Sequence, residues 1–93
     1  MADQKEKPKY EVEKLIISEN KKVYILKREG EPLEWIMLVK KEDRVTAGYG
    51  YAWKTRASYV ADLDLDYWDF EVKTPEDFEK LAHIIMEEAY LWG

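Results

Sequence analysis

The chain has 93 residues, of which 46% are hydrophobic, 14% aromatic and 38% charged, and its formal net charge is −5. This length predicts one domain with a modest core and excludes two independent domains. The absence of cysteine excludes disulfides and thiolate metal sites. Abundant Lys and Glu with few amides favour a thermophilic source. Apolar runs are too short for a membrane span and the N-terminus is not signal-like, so we expect a cytoplasmic protein.

The charges are unevenly distributed along the chain. Residues 1–19 carry four Lys and five acids, and residues 20–56 carry nine Lys or Arg and five acids. Residues 57–93 carry two Lys and ten acids. The middle third is therefore basic and the last third acidic, a separation that can orient a charged partner.

The first half of the chain alternates strand and turn patterns. Residues 1–9 are polar and predict a flexible tail before a single domain over residues 10–93. Tyr10–Ser18 and Lys22–Arg28 are predicted to form a hairpin. Leu33–Lys40 has apolar side chains on both faces, which is typical of a central strand that is covered twice. Polar turns are predicted at Glu19–Lys21, Glu29–Pro32 and Lys41–Arg44.

Two or three further strands follow. Val45 to about Arg56 predicts a fourth strand and Tyr59–Asp66 a fifth. The apolar side chains then change phase, which predicts a bulge or bend near Asp66 and Tyr67. Trp68–Lys73 is predicted as a separate or bent final strand.

The last segment has the pattern of an amphipathic helix. Thr74 suits the N-cap, Pro75 the first helical position, and the helix should run to about Leu91. Its apolar stripe comprises Phe78, Leu81, Ala82, Ile85, Ala89 and Trp92. Ile84 and Leu91 form a second ridge, for which we favour a widened core face over a self-association contact. These patterns predict an α+β fold, a twisted antiparallel sheet of four to six strands followed by one C-terminal helix.

An aromatic row in the fourth strand is the main functional signal. The row comprises Tyr49, Tyr51 and Trp53, and the opposite face comprises Gly48, Gly50 and Ala52. Rings beside Lys54 and Arg56 could stack bases and attract phosphates, but the row could equally be core. The two arrangements differ in which face the helix covers. Because glycine in a strand often marks the close approach of another backbone, we favour a helix on the glycine face.

Two resemblances support binding of nucleic acid. Gly48-Tyr49-Gly50-Tyr51 resembles the central strand motif of RNA-recognition domains, although Ala47 and Lys54 depart from it. Phe70–Leu81 resembles the strand-to-helix junction of the positive-cofactor-four transcriptional coactivators. That resemblance implies a curved sheet backed by a helix, a homodimer, and single-stranded DNA bound on the sheet.

Three acids alternate along the fifth strand. Asp62, Asp64 and Asp66 could hold a hard cation, but the glycine and distal glutamate of a calcium loop are missing. We therefore favour a solvated face and predict no metal or cofactor. The same acids could also bind a basic protein partner.

Catalysis has little support in this sequence. His83 is the single histidine and falls on the polar helix face, and Ser18 and Ser58 have no recognisable base nearby in sequence. We therefore predict a protein that is not an enzyme.

The leading hypothesis is a dimeric protein that binds single-stranded DNA or RNA on its sheet. The predicted contact residues are Tyr49, Tyr51, Trp53, Lys54, Arg56, Lys40, Lys41, Lys27 and Arg28. The alternative is a non-enzymatic protein-interaction or inhibitory module that uses its acidic C-terminal half.

Overall fold

A computed structural model describes residues 9–51, 57–63 and 65–92, without the side chains of 57–62, 65–66 and 88–92. It contains one antiparallel sheet with its five strands in sequential order, followed by a helix. The elements are β1 Tyr10–Ser18, β2 Lys21–Arg28, β3 Glu31–Lys41, β4 Arg44–Tyr51, β5 Ala57–Leu63, a 3₁₀ helix Leu65–Asp69 and α1 Pro75–Trp92. The α+β class and the single C-terminal helix are confirmed, and β3 is the central strand as predicted.

Tight turns connect the first four strands. Two residues separate β1 from β2, β2 from β3, and β3 from β4. Glu29 and Gly30 have φ angles of 53° and 85°, and positive φ at both central positions is typical of the turn whose twist matches a hairpin. Each short connection places consecutive strands side by side, which explains the sequential strand order.

The core lies on one face of the sheet, here called the inner face. Side chains alternate across a strand, so Tyr24, Leu26, Ile36 and Leu38 point to the same side. Leu38 is opposite Ala47 in the register of β3 and β4, which adds Val45 and Ala47 to this face. All six are buried.

The helix covers the inner face. Phe78, Leu81, Ala82 and Ile85 are buried in the same cluster as Val45 and Ala47, which confirms the first four members of the predicted stripe. α1 contacts β5 at one edge of the sheet and β1 and β2 at the other, so it spans the inner face. Our preference for a helix on the glycine face was wrong. The buried alternation through Val45 and Ala47 places the glycines on the other face.

The start of α1 has the predicted cap. The Asp77 amide donates to Thr74 Oγ1 at 3.1 Å. In return, Asp77 Oδ2 accepts a 3.3 Å bond from the Lys73 amide. The Thr74 side chain thus satisfies an amide that the first helical turn leaves without a partner, and Asp77 ties the residue before the cap to the helix.

Residues 65–73 differ from prediction. The predicted final strand Trp68–Lys73 is wrong, because a 3₁₀ helix extends to Asp69 and residues 70–73 form no strand. Side chains from β2 bind the backbone of this segment: Lys22 Nζ donates to the Trp68 carbonyl at 3.0 Å, and the Tyr24 hydroxyl to the Phe70 carbonyl at 3.1 Å. The change of phase near Tyr67 is therefore a 3₁₀ turn over the core, where Trp68 is buried.

We expect Thr74→Ala to lower the free energy of unfolding by about 1 kcal/mol, because the capping oxygen is lost. For a domain of this size that corresponds to a melting temperature about 4–8 °C lower. Thermal unfolding followed by circular dichroism measures the change. Thr74→Ser keeps the oxygen and should melt close to the wild type; an equal loss in both variants would contradict the cap.

Gly48→Ala should be tolerated, because a methyl group there would lie 3.5 Å from Trp35 Cζ3 and 3.6 Å from Met37 Cε, ordinary contact distances. Removing a flexible strand glycine should raise the free energy of unfolding by about 0.5 kcal/mol. At the adjacent position, Ala47→Leu adds volume to the closed core and should lower it by about 1–3 kcal/mol. Denaturant titration of both variants tests which face the helix covers, and a larger loss at Gly48 would contradict this fold.

Candidate binding site

The predicted aromatic row is only partly a surface feature. Tyr49 packs against the core on the inner face, and its hydroxyl donates to the Glu34 carboxylate. Tyr51 is 40% exposed and meets Tyr49 edge to face, with ring centroids 6.2 Å apart. Trp53 lies outside the described residues. Tyr49 therefore has a structural role. The group beside its hydroxyl is the negatively charged Glu34 carboxylate, whereas the nucleic-acid hypothesis places a phosphate of the ligand near this row.

The predicted cations Lys40 and Lys41 lie far from these tyrosines. Tyr51 is opposite Glu34 in the register, whereas Lys40 is opposite Val45. Six residues of strand separate the two positions, or about 20 Å. The Lys40 ammonium lies 5.7 Å from the centroid of the Trp68 ring, where it contributes a cation–π contact to the core edge.

Of the remaining predicted cations, Lys27 is separated from the aromatic pair. Lys27 belongs to the sheet face opposite α1, where its Nζ lies 2.5 Å from Glu13 Oε1. The hydrogen bond to Glu13 is the main reason why the pKa of Lys27 is raised. Arg28 ends β2, and Lys54 and Arg56 lie outside the described residues. The structure therefore separates Lys27, Lys40 and Lys41 from Tyr49 and Tyr51, and binding of nucleic acid stays a prediction.

The other polar candidates form no site in the described residues. The side chains of Asp62 and Asp66, and all of Asp64, lie outside the description. His83 is exposed on α1, with Nε2 3.6 Å from Glu87 Oε2. Within the described part of the chain, no group of three or more His, Cys, Asp or Glu could hold a metal ion.

A second surface, which sequence analysis did not single out, lies on the sheet face opposite α1, here called the outer face. Its register pairs Leu15 with Val23, Val23 with Met37, and Ile25 with Trp35. The apolar members are Leu15, Val23, Ile25, Trp35, Met37 and Val39. No element that the structure describes packs on this face, since all described buried apolar residues belong to the inner-face cluster.

The glycines of β4 leave room on the outer face for large side chains of β3. Trp35 and Met37 lie over Gly48 on the neighbouring strand, at the distances given above for an added methyl group. Trp35 is also opposite Gly50 in the register. The glycines of the aromatic strand thus accommodate large outer-face side chains rather than the helix. The sequence signal for this face was the run of apolar residues in β3, which predicted cover on both sides.

Charged side chains surround the apolar part of the outer face. Glu13 and Lys27 form an ion pair at one end, and Lys21 lies opposite Val39 at the other. An apolar centre with a polar rim is the usual anatomy of a protein interface, and aromatic residues and Met are enriched in such centres.

The hydroxyls of Tyr24 and Tyr49 have raised pKa values, and their surroundings in the fold explain both. Burial is the main reason why the pKa of the Tyr24 hydroxyl is raised, with a smaller effect from Glu71. Burial and then the hydrogen bond to Glu34 raise the pKa of Tyr49 well above its usual value. Both hydroxyls donate to acceptors within the fold, Tyr24 to the Phe70 carbonyl and Tyr49 to the Glu34 carboxylate.

Comparisons with known proteins give no family. No protein-family model, no curated protein and no solved structure matches the chain significantly. A membrane-crossing helix, long and apolar enough to span a bilayer, is not found among the described residues.

The Tyr49 hydrogen bond predicts a loss of stability in alkali. Because the folded pKa is raised, the stabilisation is complete below the unfolded pKa of about 10 and is lost as pH rises toward the folded pKa. Tyr49→Phe should cost about 1 kcal/mol at neutral pH and flatten the decline above about pH 10. Urea unfolding from pH 8 to 11.5 measures both effects. Equal slopes for Tyr49→Phe and the wild type would contradict the assignment.

Proposed function

We propose that this protein is a non-enzymatic protein-interaction module that binds its partner through the outer face of the sheet. The observation that carries the proposal is an apolar face on the side of the sheet opposite the only described α-helix. The partner would be a protein that presents apolar side chains of its own.

The free energy of burying the outer-face side chains supports a bound partner on this face. Trp35, Met37 and Val39 are half-buried by their neighbours alone, and Leu15 is 40% exposed. Full burial of one large apolar side chain contributes about 1.5–3 kcal/mol, so six partly covered ones leave several kcal/mol for a partner to recover. Contiguous apolar patches of this kind mark interaction sites on soluble proteins.

The surface chemistry favours protein over nucleic acid. The apolar outer-face residues other than Trp35 are aliphatic or thioether side chains, which offer little to a base or a phosphate. Near Trp35, the rim cation Lys27 is already paired with Glu13. On the inner face, the hydroxyl of Tyr49 is bonded to a carboxylate. The interaction module therefore replaces single-stranded nucleic-acid binding as the leading proposal.

Site-specific photocrosslinking tests the proposal. A benzophenone amino acid at Ile25 samples the outer face, and the same group at Glu79 samples the exposed side of α1. The partner crosslinked from Ile25 is identified by mass spectrometry, purified and titrated with the unlabelled protein. Ile25→Glu should weaken that binding at least about tenfold, because a charge buried without a partner is costly.

Glu79→Lys is the matched control, since it changes an exposed charge on the opposite side of the molecule. It should leave the affinity within about twofold. Binding lost with Glu79→Lys and kept with Ile25→Glu would contradict the outer face and favour the acidic half. Salt-sensitive binding of a labelled oligonucleotide that Tyr51→Ala abolishes and Ile25→Glu does not would contradict the proposal in favour of nucleic acid.

A further inference from the structure

We propose that the outer edge of β1 binds the same strand of a second copy, antiparallel, so that two five-stranded sheets join into one. The inference is independent of the outer-face proposal, because it concerns backbone groups at the sheet edge rather than side chains on a face. Antiparallel addition of an identical strand gives a closed two-fold dimer.

Exposed apolar side chains concentrate on β1. Among the described residues, β1 is a terminal strand whose one neighbour is β2. Six large apolar side chains in the described part are exposed, and four belong to this strand: Tyr10 at 43%, Leu15 at 40%, Ile16 at 64% and Ile17 at 59%. A long edge strand with apolar side chains is a template for strand pairing unless something protects it.

The register identifies which backbone groups face outward. The Glu29 amide donates to the Lys9 carbonyl at 3.0 Å, which marks Lys9 and Glu29 as a hydrogen-bonded pair. Hydrogen-bonded and non-hydrogen-bonded pairs alternate along an antiparallel ladder, so the odd residues of β1 bond to β2. The N–H and C=O groups that point away from β2 therefore belong to Tyr10, Val12, Lys14 and Ile16.

β1 is complementary to itself in one register. With a two-fold axis at Glu13, Tyr10 is opposite Ile16 of the second copy, and Val12 is opposite Lys14. All four outward-facing residues of each strand then find partners, with two hydrogen bonds in each of the four pairs. The same register brings the exposed ring of Tyr10 against the exposed side chain of Ile16. An axis at Lys14 would instead leave Tyr10 without a partner and place two ammonium groups together.

Two features limit the strength and the length of the pairing between the two copies of β1. The two Glu13 side chains meet at the axis, where their negative charges repel each other. Lys27 of the same chain offsets this repulsion, because its Nζ lies 2.5 Å from Glu13 Oε1. A register shift between Ile16 and Ser18 distorts the strand beyond Ile16, and such bulges end regular pairing. The pairing segment is therefore Tyr10 to Ile16, the segment that carries the outward-facing groups.

Light scattering coupled to size-exclusion chromatography tests the dimer. The wild type should have the mass of two chains at micromolar concentration. Lys14→Pro removes an outward amide and no bond to β2, so it should give a monomer with an unchanged circular dichroism spectrum. Lys14→Ala keeps the amide and should stay dimeric. A monomeric wild type would overturn the proposal, as would a dimer that Ile25→Glu dissociates and Lys14→Pro does not.

Cysteine crosslinking tests the register without depending on a proline. The chain has no cysteine of its own. In Glu13→Cys the two new thiols face each other across a non-hydrogen-bonded pair, with Cα atoms about 4.5 Å apart, within disulfide range. Mild oxidation should convert most of this variant to a covalent dimer. In Ile16→Cys the thiols lie about 20 Å apart along the strands and should not crosslink. Crosslinking from Ile16→Cys and not from Glu13→Cys would overturn the register.

Discussion

The structure depends on the closure of one sheet face by one helix. Side chains alternate along every strand, so once Phe78, Leu81 and Ile85 pack against Val45 and Ala47, the register assigns each remaining strand residue to the covered or the uncovered face. Two side chains of β2 hold the connecting segment in place, since Lys22 and Tyr24 donate to the carbonyls of Trp68 and Phe70. Without these bonds the chain would have to satisfy the same carbonyls elsewhere before α1 could begin.

Packing of α1 on the inner face determines the roles of the tyrosines and glycines in β4. Tyr49 falls on the covered side, where burial and the bond to Glu34 make its hydroxyl part of the fold. The glycines fall on the other side, where Trp35 and Met37 lie over Gly48, at ordinary contact distance from an added methyl group. Within a motif that resembles a stacking platform in sequence, Tyr49 and Gly48 thus serve packing on opposite faces of the sheet.

Two surfaces stay uncovered within the described residues, and they would suit different partners. The outer face offers apolar area, which any complementary apolar surface can bury. The edge of β1 offers alternating donors and acceptors, which only an extended backbone can match. Joining two copies at the edge would also extend the outer face across the two-fold axis, because directly opposite residues in an antiparallel ladder share a face.

Local patterns were enough to predict the α+β class, the first four strands, the tight turn at Gly30 and the cap of α1 at Thr74, because each depends on neighbouring residues. The helix face, the 3₁₀ turn at Trp68 and the separation of Lys27, Lys40 and Lys41 from the tyrosines could not be read from those patterns. They depend on long-range contacts such as Lys22 with Trp68 and Glu13 with Lys27. Periodicity identifies two faces for each strand, but only the packed structure decides which face is buried, since either choice satisfies the alternation.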